Sequence, residues 1–395
     1  MLIELFQANY SYKKIFYKIF IKEHNMKKYI FGVIAVGMLL QLTGCQKKSE
    51  ATSSTQSDST QHTKVVVDQL NREVTIPTEI SRVAMGGLLP FYSTWYVATG
   101  STKEIVGIHP ASYAAAKNSV LADMSPEVLN AKTTFVQNGE VNIEELIKLE
   151  PQMFFHGTDK ELVEKITAVG IPALAVSTRV SGLEPLATLH SWLNLIGDIT
   201  NTTERVSTFM EYGTKVQDEL QAKLASIPED KKPRVMFLMG HSEKAIPVAG
   251  DDFFSSQWAL ASGAVNIAKE FVGSKEVNME QVYSWNPDII YITNFSQTQP
   301  EDLYENKIAG QDWSQLDAVK NKKVYKIPLG IYRWFPPSGD DPLMLKWLAQ
   351  KQYPDLFTYK MEDEIKTYYK DFYHYDLSDE QITKILHPSS DAGNY

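Results

Sequence analysis

The sequence predicts an α/β protein of two similar lobes, each built on a parallel sheet, joined by a single long α-helix. Three observations carry that prediction. The first is an internal repeat. Val141-Asn142-Ile143-Glu144-Glu145-Leu146 is followed by Pro151-Gln152-Met153, and Val277-Asn278-Met279-Glu280-Gln281-Val282 is followed at the same spacing by Pro287-Asp288-Ile289. The second is helical periodicity between 202 and 226, with apolar residues at Val206, Phe209, Met210, Val216, Leu220 and Leu224. The third is a series of short apolar runs at 82–85, 105–108, 153–155, 173–176, 234–239, 289–293 and 324–327. Strands alternating with helices imply parallel sheets in both lobes.

The 395 residues, 43% hydrophobic and 22% charged, suffice for two domains with real cores. A net charge of −9 argues against a nucleic-acid-binding face. The single cysteine excludes a disulfide framework.

From the N-terminus, residues 1–25 read as an upstream extension and 26–44 as a signal peptide. Met26-Lys27-Lys28 precedes a run of roughly 13 apolar residues, too short for a comfortable permanent membrane span. Leu42-Thr43-Gly44-Cys45 resembles the bacterial lipobox, which makes Cys45 the lipidation site and the new N-terminus. Removing the segment before it takes away six lysines and two acids, leaving −13. Residues 45–63, rich in Ser, Thr and Gln, read as a flexible tether. The N-terminal lobe is predicted over 64–200, the linking helix over 201–227, and the C-terminal lobe with a helical tail over 228–395. Asn201 with Glu204 reads as a capping box for the linking helix, and Pro228 as its stop. About 25 residues at 1.5 Å rise would span roughly 37 Å, the height of a lobe. In the repeat, Asn142 and Asn278 read as helix caps. The tail from 360 to 386 carries Tyr368, Tyr369, Phe372, Tyr373 and Tyr375 among charges, as expected of a helix packing its aromatics on a lobe.

Ligands of open parallel sheets bind beyond the carboxyl ends of the strands. The residues that follow the predicted strands therefore form the candidate ligand site: His109, His156, Arg179, His241, Tyr332, Arg333 and Trp334. Imidazole suits a transition metal, guanidinium pairs with carboxylate, catecholate or oxyanion groups, and aromatic rings suit a flat chelate. The competing reading for each histidine is a strand-end side chain bonded to backbone, and for Arg179 and Arg333 a salt bridge between lobes. Trp258 and Trp285 read as core residues, and His190, His374 and His387 as structural or exposed. No His-Glu-x-x-His, nucleophile elbow, phosphate loop or Cys-x-x-Cys is present, so an enzyme is not expected.

Over 64–387 the chain resembles the substrate-binding lipoproteins of ABC importers for iron complexes, haem and corrinoids. The resemblance rests on ordered pieces: 68–77 with Ser81-Arg82-Val83, Asn142-Ile143-Glu144, Leu149-Glu150-Pro151, Gly170-Ile171-Pro172 and 260–266. Trp313-Ser314-Gln315-Leu316, Lys323-Val324-Tyr325 and Tyr353-Pro354-Asp355 complete it. Gln152 stands where the family commonly has Asp. Gly330-Ile331-Tyr332-Arg333-Trp334 with Pro337-Ser338 resembles the branch for iron complexes or for molybdate and tungstate.

The resemblance implies Rossmann-like lobes with a ligand cleft between them and no catalytic cofactor. It implies a lipid-anchored, extracytoplasmic, monomeric protein that hands a metal chelate to an ABC permease. An iron-siderophore or haem is the first expectation for the ligand. Molybdate, tungstate or a corrinoid is the alternative, and bare zinc or manganese a further one. It also implies that Glu144 and Glu280, one per lobe, dock into arginine pockets of the permease.

Overall fold

The computed structural model describes residues 62–393. The extension, the signal peptide, Cys45 and nearly all of the tether lie outside the described residues. No helix among those described is long and apolar enough to cross a membrane.

The chain opens with an antiparallel hairpin, β1 (Thr63–Val67) and β2 (Glu73–Pro77). Six more strands follow in the first lobe: β3 (Val83–Met85), β4 (Ile105–Ile108), the short pair β5 (Val136–Gln137) and β6 (Glu140–Val141), β7 (Met153–His156) and β8 (Ala173–Ala175). The central sheet has the order β4-β3-β7-β8, and every pairing is parallel. Its middle strands are buried on both faces and read as unbroken apolar runs, as parallel strands do.

The second lobe contains β9 (Arg234–Leu238), β10 (Ile246–Ala249), β11 (Val265–Asn266), β12 (Ser274–Val277), β13 (Ile289–Ile292) and β14 (Val324–Lys326). Their order is β12-β10-β9-β13-β14, with β11 beside the start of β9. Here the expected parallel sheet carries an antiparallel margin. β9, β13 and β14 are parallel, but β10 is antiparallel to both β9 and β12. The connection from β9 to β10 is too short for a crossover helix, which takes a dozen residues or more, so the chain must turn straight back.

The linking helix spans Thr203–Leu224 and buries Val206, Phe209, Val216, Leu220 and Leu224, the face its periodicity gave. Its start differs from expectation. Asn201 is the left-handed C-cap (φ 59°) of the preceding helix Pro185–Thr200, and Thr202 caps the linking helix without a side-chain bond. Asn tolerates positive φ better than other side chains, and ending one helix there outweighs capping the next. In the repeat, both caps form. The Asn142 side chain accepts the Glu145 amide (3.1 Å) and that of Asn278 the Gln281 amide (2.9 Å).

The largest hydrophobic cluster runs through both lobes and the linking helix, from Trp95 and Trp192 through Phe209 to Trp258 and Trp347. Trp258 is core as expected, and Trp285 is half-buried against Phe271. In the tail, helix Met361–Tyr373 lays Tyr368, Phe372 and Tyr373 on Phe209 of the linking helix. His374 and His387 are exposed. His190 is held neutral by burial, which lowers its pKa to about 4.

Candidate functional site

The first-lobe wall is built at the ends of β3, β4 and β7. Gly86-Gly87 leaves β3 with Gly87 at φ +58°, and a Cβ there would lie 2.3 Å from His156 Nε2. The glycines therefore let the His156 ring lie against this loop, stacked on Phe154 with centroids 5.9 Å apart. His109 caps helix Pro110–Lys117 by accepting the Ala111 amide on Nδ1 (3.1 Å), which leaves Nε2 as the protonated nitrogen of the neutral ring. Burial lowers the pKa of both histidines, and that of His109 is lowered further by His156. The two rings form a neutral, polar wall.

Arg179 takes the second of its two expected roles. Exposed at the rim, it forms a two-pronged ion pair with Asp252 of the other lobe (2.7 and 3.2 Å). His241 is bonded within its own lobe. It is 3% exposed, with Nδ1 2.9 Å from Thr298 Oγ1 and Nε2 2.8 Å from Gln311 Oε1. The Gln311 amide nitrogen donates to the carbonyls of Ser242 and Glu243, so its oxygen faces the ring and Nε2 must be the donor. Both ring nitrogens are used inside the lobe, and burial depresses the pKa.

Arg333 does not stand in a solvated cleft. It is fully buried, with its guanidinium 4.8 Å over the Phe295 ring and Nη2 donating to the carbonyl of Ala392 (3.1 Å). Close by, the Lys326 ammonium donates to the carbonyls of Ser296 and Thr298. Burial first, then the charge of Arg333, brings its pKa down to about 7. Tyr332 is buried too and meets Tyr92 of the first lobe edge-on, with centroids 5.8 Å apart. Trp334 is fully buried as well, and its indole N–H donates to Asp340 Oδ2 (2.9 Å).

Two residues beside this candidate site escaped the sequence reading. Tyr92 lies in the first turn of helix Phe91–Thr99, just beyond the β3 loop, and its hydroxyl is buried with no hydrogen-bond partner among the described residues. Burial raises its pKa well above that of an ordinary phenol, so it stays a protonated donor beside Arg333. Following the strand-end loop into the helix it opens would have found it. The second is Asp340, fully buried, whose carboxylate accepts from Ile331 N, Trp334 Nε1, Tyr369 Oη and Tyr373 Oη, each at 2.9 Å. It locks the loop that carries Tyr332 and Arg333 to helix Met361–Tyr373 behind it. No local pattern marks it.

Glu144 and Glu280 stand exposed in the first turns of their capped helices. Among the described residues, no three His, Cys, Asp or Glu side chains are arranged to hold a metal ion.

A model of the periplasmic binding protein family matches residues 88–329. A crystal structure of a periplasmic solute binding protein from Veillonella parvula is similar with a TM-score of 0.75 at 34% identity, covering 82% of this chain and 97% of that one. The molybdate-binding protein MolA of Haemophilus influenzae is 26% identical over 78% of this chain and 91% of its own length. Its molybdate-bound structure has a TM-score of 0.67. An uncharacterized ABC transporter substrate-binding lipoprotein of Bacillus subtilis, YvrC, is 22% identical over 80% of this chain and 95% of its own.

Proposed function

This chain belongs to the periplasmic binding protein family, and we propose that the solute it carries for its ABC importer is a small oxyanion of the molybdate and tungstate class. It is a binding protein and not an enzyme. The observation that carries the ligand reading is the donor set where the lobes meet. A fully buried guanidinium from one lobe lies beside a buried, protonated phenol from the other that has no partner of its own among the described residues. A buried hydroxyl without a partner is costly, and a charged acceptor makes the strongest hydrogen bonds with it and with a guanidinium. Lys326 adds positive potential to the same wall. That a relative similar over most of the chain binds molybdate supports the same class. The iron-siderophore or haem expectation gains less support. A flat chelate wants open aromatic faces, whereas Tyr332 and Trp334 are fully buried. Titration calorimetry tests the reading. Molybdate should bind with a Kd at or below about 1 μM, near −8 kcal/mol. Saturable binding of haem or a ferric siderophore, with none of molybdate or tungstate, would overturn it.

Docking to the permease falls to Glu144 and Glu280 in this proposal. Each is an exposed acid held at the second position of a helix fixed by an Asn cap, and the two occupy equivalent places in the two lobes. An acid there is favoured by the helix dipole, so the two charges are stable without any partner in this chain. The double change Glu144→Ala with Glu280→Ala should abolish uptake in cells while leaving molybdate affinity within a factor of about two. A large loss of affinity would place these acids at the ligand.

A further inference from the structure

The last described residues cross from one lobe to the other over the proposed ligand site. Ser390–Gly393 forms a short 3-10 turn. On the first-lobe side, the Asn118 side-chain amide, at the end of helix Pro110–Lys117, donates to the Asp391 carbonyl (3.1 Å). In the middle, Ala392 is 3% exposed and its carbonyl accepts from Arg333 Nη2 (3.1 Å). On the second-lobe side, Gly393 lies so close to the backbone of Ser296 and Gln297 that a Cβ would fall 2.3 Å from the Ser296 carbonyl oxygen. Three successive residues thus engage three different parts of the fold, and the central one sits on the guanidinium.

We propose that segment 389–393 is a strap that occupies Arg333 in the empty protein and must leave for the anionic solute to bind. The inference rests on the oxyanion reading of Arg333. The Ala392 carbonyl is a neutral acceptor, whereas an oxyanion brings charge and several acceptor oxygens, so for the N–H of Nη2 that they share the solute is the stronger acceptor. The strap still lowers apparent affinity, because only molecules with the strap displaced can bind, and affinity scales with their fraction. A strap in place nine-tenths of the time or more would cost about tenfold or more. Its contacts with both lobes also tie ligand binding to a local opening of the terminal segment.

Gly393→Val tests this in the full chain, since the added side chain collides with backbone and must unseat the strap. A chain ending at Pro388 provides a second route should the valine variant fold poorly. Two readouts are taken with each. Phenylglyoxal labelling, mapped by mass spectrometry, reports access to Arg333, with the exposed Arg179 as internal standard. Calorimetry with molybdate reports affinity. Labelling of Arg333 at least tenfold faster, together with molybdate binding at least tenfold tighter, is expected. Unchanged protection of Arg333 in both variants would overturn the strap. So would faster labelling with unchanged molybdate affinity. Faster labelling in chains that bind no molybdate at all would support the strap as a cover and overturn the oxyanion reading alone.

Discussion

Replacing Arg333 with Ala should weaken molybdate binding by tenfold to a hundredfold, about 1.4–2.8 kcal/mol, and should also lower the melting temperature of the empty protein. The first effect follows from removing a charge-assisted donor from a buried site. The second departs from what a strand-end arginine in an open cleft would do. Arg333 is fully buried, packed over Phe295 and bonded to the Ala392 carbonyl, so its removal opens a cavity and strands that carbonyl. Part of that loss is offset, because Lys326 loses a cationic neighbour and its pKa should climb from about 7 toward the ordinary lysine range. Arg179→Ala should have the smaller effect on affinity, since its guanidinium is paired with Asp252 at the exposed rim. Calorimetry and thermal melts of the two variants decide the matter. Normal molybdate binding by the Arg333 variant would move the ligand to another wall.

Asp340→Ala should be among the most destabilising single changes in the second lobe, on the order of 4 kcal/mol, because four donors lose their acceptor in a buried site. It should weaken molybdate binding too, since the Ile331 and Trp334 bonds to this carboxylate hold the loop that presents Arg333. Asp340→Asn should restore much of both, as an amide oxygen can keep the three donors at Oδ2 while its nitrogen donates to the Tyr373 hydroxyl. The pH dependence separates this role from simple filling of space. Burial raises the Asp340 pKa to about 6, above the ordinary carboxylate value of 3.8, although the four hydrogen bonds pull it down. The folded state therefore binds the proton more tightly than the unfolded state. The stabilisation from that proton is complete below about pH 4 and is lost as pH rises through about 6. The Asn variant, which cannot titrate, should lack this decline. Denaturant melts of wild type and Asp340→Asn between pH 4 and 7 measure it, and parallel curves would show that Asp340 does not carry the dependence. Gly330 belongs to the same lock, because a Cβ there would fall 1.8 Å from Asp340 Oδ2.

The parts of this protein legible in its sequence are those decided within one turn or one strand. Helical periodicity located the buried face of Thr203–Leu224, because a 3.6-residue repeat is set by the helix itself. Asn142 and Asn278 cap their helices as read, because a cap needs only the next three residues. Apolar runs marked the parallel strands β3, β4, β7 and β8 of the first sheet and β9, β13 and β14 of the second, and hence the loops where the histidines of the first wall stand.

What tertiary structure alone decided was the fate of side chains whose partners lie far along the chain. His241 was drawn into its own lobe by Thr298 and Gln311, some 60 to 70 residues away. Arg179 found Asp252 across the rim, and Arg333 was closed over by Ala392, 59 residues downstream. Tyr92 gained its place only when the lobes met, and Asp340 only when helix Met361–Tyr373 brought Tyr369 and Tyr373 behind it. A strand-end position fixes where a side chain begins. Whether it faces solute or protein depends on what desolvates it and which donors and acceptors then converge, and local sequence does not encode that.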